Sequence, residues 1–202
     1  MNTLETVTKK FNITEKPHPG TWVKGSRNKE LLELFKDLNF KVGAEIGVEK
    51  GVYSETICKA IPDVTLYSID PWITYKGYRE HVSQEQMDLM YQSTYNRLKG
   101  YQCFVIRDFS ESAFSKFADR SLDFVYIDGN HDFLHVTQDI INWSKKVKVG
   151  GIISGHDYVR RSGIHQNHVK DVLPSYCYSQ GISEWFILNE QKGANSWFLV
   201  NK

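Results

Sequence analysis

The chain of 202 residues has a formal net charge of +1, and 41% of its residues are hydrophobic and 24% are charged. This composition is ordinary for a globular protein, and the length favours a single domain. A charge so close to neutral provides no overall field that would hold a polyanion, so nucleic acid is not an expected partner. Because no apolar run is long enough to span a bilayer and the N-terminus lacks the apolar core of a secretory signal, we expect a soluble, cytoplasmic protein without a membrane partner.

The first residues of the chain are rich in residue types that bend the backbone. Two prolines and two glycines predict an irregular N-terminal lead-in over 1–25, followed by a single domain over 26–202 (Pro17, Pro19, Gly20, Gly25). Leucine and phenylalanine then recur with helical spacing. This pattern predicts a helix that begins near Ser26 or Asn28 and continues to Asn39.

Strand and helix patterns alternate along the middle of the chain. Apolar, β-branched runs predict five strands, at 41–48, 65–70, 102–108, 122–128 and near 150–157. Helical periodicity between them predicts helices at 54–61, 83–99, near 111–118 and at 131–146. This alternation implies a parallel sheet with helices on both faces, and right-handed crossovers make it a doubly wound sandwich.

The C-terminal part of the chain breaks this alternation. Two apolar runs, at 183–190 and 196–202, flank a short loop that contains glycine and asparagine, which predicts a hairpin. The predicted fold is therefore an α/β, doubly wound, Rossmann-like sandwich. It has a mostly parallel, seven-stranded sheet with an antiparallel C-terminal hairpin strand. Ligands bind such sheets at the carboxyl ends of the strands, so polar residues there are the candidates for a site.

The sequence EIGVEKGVYSE (45–55) joins the first of these strands to its helix. Gly47 and Gly51 permit a tight turn and a close approach of the backbone to a ligand, and Ser54 with the helix N-terminus offers hydrogen-bond donors. The stretch matches neither the phosphate loop GxxxxGK[ST] nor the dinucleotide pattern GxGxxG. Glu45 would repel phosphate but suits an ammonium or sulfonium group. A tight connection without a ligand is the alternative interpretation.

Asp70 ends the next strand, about 20 residues after the glycine turn. From this position a carboxylate can accept hydrogen bonds from both hydroxyls of a ribose. The two glycines and the strand-end acid, in this order and at this spacing, indicate a ligand that contains adenosine.

Asp128 and Asp157 end two further strands, in IDGNH and GHD, so their carboxylates should converge on one pocket. Two carboxylates suit a hard cation such as Mg²⁺, which would lower the pKa of a bound hydroxyl. His131 begins a helix and can take up that proton, so we interpret His131 and Asp128 as catalytic. As a third metal ligand, His156 would favour Mn²⁺, Fe²⁺ or Zn²⁺; alternatively it points away and no metal binds.

Five motifs follow one another over residues 40–160, and they read EIGVEKG, IDPW, IRDFSES, DFVYIDGNHDF and GGIISGHDY. Their order resembles that of the class I S-adenosylmethionine-dependent methyltransferases. The branch with IDGxH and GGxIxGHDY motifs, which includes metal-dependent sugar O-methyltransferases, is the most similar. The chain departs from the commonest turn of these enzymes at Glu49, which replaces the middle glycine.

The resemblance implies that S-adenosylmethionine is the cofactor. It places Glu45 and Gly47 near the methionine end and Asp70 at the ribose. It also implies that the adenine is framed by the residues after the third strand, which are Asp108, Phe109 and Ser110.

The resemblance further implies a catalytic base at the position of His131, and commonly an acid at the position of His156. We therefore expect an O-methyltransferase that transfers a methyl group to a hydroxyl of a small molecule or a glycan, with or without a divalent cation such as Mg²⁺ or Mn²⁺. The sequence does not indicate the acceptor or the oligomeric state.

Two rival functions are weighed against this one. GNHD (129–132) and GHD (155–157) also resemble metal-dependent phosphoesterases, but the upstream DxH and GDxx[DN] motifs of those enzymes are missing. The other rival is a non-catalytic, nucleotide-binding Rossmann-like module. Hydrolysis of a phosphate ester would favour the phosphoesterase, and lack of binding to S-adenosylmethionine would favour the non-catalytic module.

Several remaining residues have structural interpretations. Asp132 is expected to cap the helix that follows it, while Met87 and Trp143 are expected in the core. Three histidines are expected on a surface or in a loop (His135, His165, His168). The segments 71–82 and 160–168 leave the carboxyl ends of strands, so we interpret them as walls of the acceptor site, with packed surface loops as the alternative.

Overall fold

The structure is a computed structural model that describes residues 2–75, 82–160, 167–191 and 193–202. Its strands are β1 (Pro19–Lys24), β2 (Val42–Ile46), β3 (Thr65–Asp70), β4 (Cys103–Arg107), β5 (Leu122–Ile127), β6 (Val147–Gly155), β7 (Trp185–Asn189) and β8 (Ser196–Val200). Its helices are α1 (Thr3–Lys10), α2 (Leu32–Asp37), α3 (Val52–Ala60), α4 (Gln84–Leu98), α5 (Ser110–Ala113), α6 (Phe133–Lys146) and α7 (Val169–Ser179). A π-helical turn, Arg27–Leu31, leads into α2, and a 3₁₀ turn, Phe114–Lys116, follows α5.

The strands form one sheet in the order β1-β7-β8-β6-β5-β2-β3-β4. Strand β8 runs antiparallel to both of its neighbours, β6 and β7, and the other pairs are parallel. The predicted doubly wound α/β fold with an antiparallel C-terminal hairpin strand is therefore confirmed. The sheet has eight strands, however, where seven were expected.

The eighth strand comes from the N-terminal segment, which is not the irregular lead-in that was expected. Helix α1 begins with a capping box, in which Asn2 and Glu5 each accept a hydrogen bond from the other's backbone N–H. Strand β1 then joins the sheet edge beside β7, with Trp22 paired to Ile187. The sequence did not predict β1, because it contains a glycine and a proline and both residue types are typical of turns. The domain boundary at residue 26 stays a prediction.

Two apolar layers cover the two faces of the sheet. On one face, side chains of α1, α2 and α3 pack against strand residues such as Phe124 and Tyr126. On the other face, α5, α6 and α7 pack against the alternate residues of the same strand, Val125 and Ile127. Both expected core residues are buried, Met87 with 3% and Trp143 with 0% exposure. Because helices shield both faces, the carboxyl edge of the parallel strands is left for a site.

Helix α7 has no counterpart among the predicted elements. It contains Pro174, which lacks a backbone N–H and normally ends a helical pattern. The side chains of Val169, Val172 and Leu173 nevertheless pack into the apolar layer beside α6. In the described part of the chain, no helix combines the length and the apolar character needed to cross a bilayer.

Candidate active site

Two adjoining clefts open at the carboxyl edge of β2, β3, β5 and β6. The first cleft, with the open space at its mouth, comprises about 470 Å³ and is lined by Ile46, Ile69, Pro71, Phe109, Ser110 and Asp139, among others. The second cleft, of about 860 Å³, is strongly polar and is lined by Arg27, Tyr53, Asp128, His131, His156 and Asp157, among others. Gly47, Asp70 and Gly129 line both clefts. The strand-end residues singled out in the sequence therefore meet in one hollow.

Gly47 forms the boundary between the two clefts. Its φ is +87°, and a Cβ atom at this position would lie 2.2 Å from the backbone oxygen of Asp128. The position therefore requires glycine, because the end of β5 passes too close for any side chain. Glu49, which replaces a glycine of the usual turn, also has a left-handed backbone, with φ +51°. The turn thus keeps the shape of a glycine-rich loop although one glycine is missing.

Gly51 and Ser54 support the turn but do not line either cleft. A Cβ atom on Gly51, whose φ is +69°, would lie 2.8 Å from the Thr94 side chain, so this glycine permits the packing of α4. Ser54 is fully buried, and its hydroxyl donates a hydrogen bond to the carboxylate of Glu45. The expected contact of both residues with the cofactor stays a prediction.

Asp70 connects the glycine turn to the end of β3. Its Oδ2 accepts hydrogen bonds from the backbone N–H groups of Val48 and Glu49, each at 3.0 Å. Its Oδ1 accepts a hydrogen bond from the backbone N–H of Trp72 at 2.8 Å. The carboxylate therefore holds the turn in place and also lies at the junction of the two clefts, where a ribose was expected.

Glu45 lies at the base of the second cleft, with only 2% of its surface exposed. Burial raises the pKa of Glu45 to about 8, and the hydrogen bond from Ser54 opposes this only in part. The side chain therefore carries a proton at neutral pH as long as no cation lies beside it. The expected preference for an ammonium or sulfonium group requires that such a cation shift the group to its ionised form.

The loop after β4 carries the three residues expected around an adenine. Phe109 and Ser110 line the first cleft. The carboxylate of Asp108 instead accepts a hydrogen bond from Lys116 Nζ at 2.6 Å and one from the backbone N–H of Phe109 at 2.8 Å. Asp108 therefore shapes the loop and does not line the cleft.

A second acid, which the sequence did not reveal, lies at the floor of the first cleft. Asp139 is 7% exposed and accepts a hydrogen bond from the hydroxyl of Ser110. Trp143 Nε1 donates a hydrogen bond to the same hydroxyl at 2.8 Å. Burial raises the pKa of Asp139 to about 7. Asp139 belongs to no spaced motif, and only its place on an otherwise apolar face of α6 could have indicated it.

The second cleft contains a cluster of acids and histidines in which one atom each of Asp128, His131 and Asp157 lies within 4.8 Å of the others. His131 Nε2 lies 3.0 Å from Asp157 Oδ2 and 3.4 Å from Asp128 Oδ1. His156 lies beside the cluster, with Nδ1 3.6 Å from Asp157 and 3.7 Å from Asp128. The two carboxylates converge as the topology of parallel strands predicted. The structure brings His131, expected as the base, at least as close to them as His156.

The imidazole of His131 fits a site that holds a positive charge. Its Nε2 is buried and, although close to both carboxylates, makes no hydrogen bond of acceptable geometry with any residue that the structure describes. Burial lowers the pKa of His131, but Asp128 and Asp157 outweigh this and raise the pKa to about 9. A neutral imidazole lone pair aimed at two carboxylates would be repelled. The cluster of Asp128, His131 and Asp157 therefore suits either a proton on His131 or a cation bound between the three side chains.

Arg27 is a further charged group of the second cleft that the sequence did not indicate. It lies in the π-helical turn after β1, and its Nη1 is 2.9 Å from Asp128 Oδ2 and 3.1 Å from the hydroxyl of Tyr126. Its guanidinium also lies over the ring of Tyr53, at 5.0 Å from the centroid. π-Helical turns often occur at functional sites. No spacing pattern links this single arginine to the strand ends, so only the fold brings it there.

The segments expected as walls of the acceptor site are described only in part. Trp72 is buried, and its Nε1 donates a hydrogen bond to the backbone oxygen of Glu49, so it packs inside the protein. Residues 76–81 and 161–166, which include His165, lie outside the described residues. His168 lies with Nδ1 3.4 Å from Asp171 Oδ2. The role of both segments as walls stays a prediction.

Asp132 and His135 form a pair at the start of α6. Asp132 caps the helix, as expected, by accepting a hydrogen bond from the backbone N–H of His135 at 2.9 Å. The His135 ring lies 2.7 Å from the second oxygen of Asp132 and lines the first cleft. His135 was expected on a surface or in a loop, and it lies partly exposed at the first cleft.

The fold is shared with methyltransferases of known structure. A provisionally named caffeoyl-CoA O-methyltransferase from Staphylococcus aureus has a TM-score of 0.65 and 16% identity, over 99% of this chain and 93% of that one. An O-methyltransferase from Bacillus cereus in complex with SAH has a TM-score of 0.63 and 13% identity, over 99% and 90%. A precorrin-6y C5,15-methyltransferase from Geobacter metallireducens has a TM-score of 0.52 and 12% identity, over 84% and 86%.

At these identities the similarity shows the fold alone. By their names, the first two neighbours are O-methyltransferases and the third is a C5,15-methyltransferase. No curated protein sequence matches the chain significantly. A family profile described as a methyltransferase domain matches residues 44–158, which contain most of β2, all of β3 to β6 and every acid of the two clefts. This match covers more than half of the chain, and the chain therefore belongs to the methyltransferase domain family.

Proposed function

We propose that the protein is an S-adenosylmethionine-dependent O-methyltransferase that acts on a hydroxyl of a small molecule or a sugar. The observation that carries this proposal is the pair of clefts that meet at Gly47, Asp70 and Gly129. One cleft is narrow and largely apolar, as a nucleoside base requires, and the other is polar, as a hydroxylated acceptor requires. The Bacillus cereus neighbour is an O-methyltransferase in complex with SAH, which supports S-adenosylmethionine as the cofactor.

The cofactor is proposed to lie across the junction of the clefts. Asp70 would accept hydrogen bonds from the ribose, while Phe109 and Ser110 would hold the base in the first cleft. The methionine end would then extend past Gly47 toward Glu45. An ammonium or sulfonium group there would favour the ionised carboxylate, so part of the binding free energy is offset by the cost of ionising a buried acid.

Asp128 and Asp157 are proposed to hold a divalent cation, with His156 as a third ligand. The unpartnered Nε2 of His131 and the closeness of the two carboxylates support a positive charge at this point. When bound, S-adenosylmethionine supplies an electrophilic methyl group, and a divalent cation lowers the pKa of an acceptor hydroxyl. Arg27 already pairs with Asp128, so the protein itself neutralises part of the negative charge of the two carboxylates.

His131 is proposed as the base that takes the proton from the acceptor hydroxyl. It lies beside both carboxylates in the polar cleft, so a hydroxyl bound there is within its reach. Its raised pKa means that the base is free only when the charge of Asp128 and Asp157 is neutralised. The walls of the hollow then position the acceptor for in-line transfer, and positioning supplies much of the rate.

The first experiment measures binding without knowledge of the acceptor. SAH and Mn²⁺ should each raise the melting temperature of the purified protein, because ligands that bind only the folded state stabilise it. The Asp157→Asn variant should lose the shift caused by Mn²⁺ and keep the shift caused by SAH. Absence of any SAH effect on the unmodified protein would contradict the proposal.

The second experiment measures transfer of labelled methyl from S-adenosylmethionine to a panel of sugars, nucleotide sugars and catechols. The protein should methylate a hydroxyl in at least one class, and His131→Ala should reduce the rate about 100-fold or more while SAH affinity stays within about two-fold. Hydrolysis of a chromogenic phosphate ester in the presence of Mn²⁺, without methyl transfer, would favour a phosphoesterase instead.

A further inference from the structure

The first cleft ends at a buried carboxylate that none of the steps above uses. Oδ1 of Asp139 accepts a hydrogen bond from the Ser110 hydroxyl, which in turn accepts one from Trp143 Nε1. An indole N–H can only donate, so this chain fixes the direction of the Ser110 hydroxyl proton toward Asp139. Among the described residues, Oδ1 is the only oxygen of Asp139 in a hydrogen bond.

The other oxygen of Asp139 is directed to the wall of the cleft. Oδ2 lies 3.5 Å from the position that a Cβ atom on Gly129 would take, and Gly129 lines both clefts. Because Gly129 has no side chain, only its backbone lies against this side of the carboxylate, and Asp139 itself lines the first cleft. A bound ligand that fills the cleft would therefore meet an acceptor atom at its inner end.

The remaining surfaces of the cleft suit a flat ring. Ile46, Ile69, Pro71 and Phe109 supply apolar walls, and Asp70 lies at the mouth where the ribose is proposed. A ring attached to that ribose would have its faces on apolar side chains and its polar edge toward the inner end. The chemistry at the inner end then decides which base is accepted.

We propose that Asp139 reads the identity of the base: its Oδ2 accepts a hydrogen bond from the exocyclic amino group of adenine and disfavours bases with a carbonyl oxygen in that place. This inference rests on the proposed function, because it requires that an adenosine group enters the first cleft. Asp139 is therefore a specificity-determining residue of cofactor binding and has no part in the chemical step.

Glu111 is the other acid of this cleft, and it lies on the exposed rim. Water competes for an exposed carboxylate, so loss or gain of a hydrogen bond there changes affinity little. A buried acceptor that faces a carbonyl oxygen is left unpaired, which costs a ligand about ten-fold or more in affinity. The structure therefore assigns the selection to Asp139 and leaves Glu111 as a matched control.

The test compares two ligands by isothermal titration calorimetry: SAH, and S-inosylhomocysteine, in which a carbonyl oxygen replaces the amino group. Burial raises the pKa of Asp139 to about 7, so measurements at pH 8 keep the carboxylate ionised. The unmodified protein should bind SAH at least about ten-fold more tightly than the inosyl analogue. Glu111→Gln should keep this ratio.

The Asp139→Asn variant should reduce the ratio at least about ten-fold or invert it. The amide oxygen would still accept from Ser110, and the NH₂ group would then face the cleft and favour a carbonyl oxygen. A residue that only supports α6 would change both affinities equally. The gain in affinity for the inosyl analogue is therefore the readout that a purely structural role would not produce.

Three results would overturn the inference: equal binding of both ligands by the unmodified protein, an unchanged ratio in Asp139→Asn, or a ratio that changes only in Glu111→Gln. The melting temperature without ligand shows whether Asp139→Asn folds. If it does not fold, the affinities of the unmodified protein for SAH and the inosyl analogue still test the inference. A complete lack of SAH binding by the unmodified protein would instead refute the proposed function, so the two failures are distinguishable.

Discussion

Replacing Glu45 by glutamine should stabilise the protein at alkaline pH. The Glu45 side chain is buried, and its hydrogen-bond partner is the hydroxyl of Ser54, which also contacts the hydroxyl of Ser68 at 2.8 Å. Burial raises the pKa of Glu45 to about 8, and the Ser54 hydrogen bond lowers it only in part. Glutamine keeps the volume and the hydrogen bond from Ser54, but it has no charge that must be removed from water.

The size of the effect follows from the difference in pKa between the folded and unfolded states. Because the folded state holds the proton more tightly, the free energy of unfolding falls as the pH rises from 4.5 to about 8. A difference of about 3.5 pH units, at about 1.36 kcal/mol per unit, gives about 5 kcal/mol for complete ionisation. The difference in stability between Glu45→Gln and the unmodified protein should therefore grow by about 3.5 kcal/mol, from about 1 kcal/mol at pH 5 to about 4.5 kcal/mol at pH 8.

Urea unfolding at pH 5, 6, 7 and 8 measures this difference directly. Other groups with raised pKa values, Asp139 and His131, titrate in both proteins, so subtraction removes their contribution. Glu15→Gln, which removes a carboxylate at an exposed position, is the control for the loss of one negative charge. A difference between Glu45→Gln and the unmodified protein that stays constant from pH 5 to pH 8 would refute the reasoning.

Three further predictions concern the geometry of the hollow. Gly47→Ala should lower the free energy of unfolding by about 3 kcal/mol or more, because the new Cβ would lie 2.2 Å from a backbone oxygen. Gly100→Ala is the control, because Gly100 has open space around it and the change should alter stability little. Denaturant unfolding of both variants measures the difference. Asp70→Ala leaves two backbone N–H groups of the glycine turn without an acceptor, so calorimetry should show at least about ten-fold weaker SAH binding, and an unchanged affinity would contradict the proposed ribose contact. In a Mn²⁺ titration, His156→Ala should weaken binding about ten-fold or more, while His131→Ala should leave the affinity nearly unchanged. The reverse result would mean that His131 is the metal ligand and His156 the base.

Residues at strand ends could be placed from the sequence because topology alone decides where they lie. Asp70, Asp128 and Asp157 each follow an apolar run, and parallel strands bring their carboxyl ends to one edge of the sheet. Asp132 was recognised as a cap because capping depends on local geometry. Inferences of this kind require only the order of elements and the direction of strands.

Residues whose position depends on packing between distant elements could not be placed in this way. Arg27 and Asp139 enter the clefts from a turn and from a helix, and neither belongs to a pattern of fixed spacing. Gly51 and Ser54 have the residue types of a ligand-binding turn, yet they pack against α4 and support Glu45. Propensity and periodicity report on local conformation, whereas these contacts are set by tertiary structure.

The pairing of β1 with β7 has a consequence for how the molecule is assembled. These strands are far apart in the sequence, with Trp22 beside Ile187, so β1 must wait for β7 to be synthesised before the two can pair. Arg27 lies three residues after the end of β1 and pairs with Asp128, so its place in the second cleft is linked through β1 to that late pairing. We therefore expect a variant that weakens the pairing of β1 with β7 to hold the counter-charge of Asp128 less firmly.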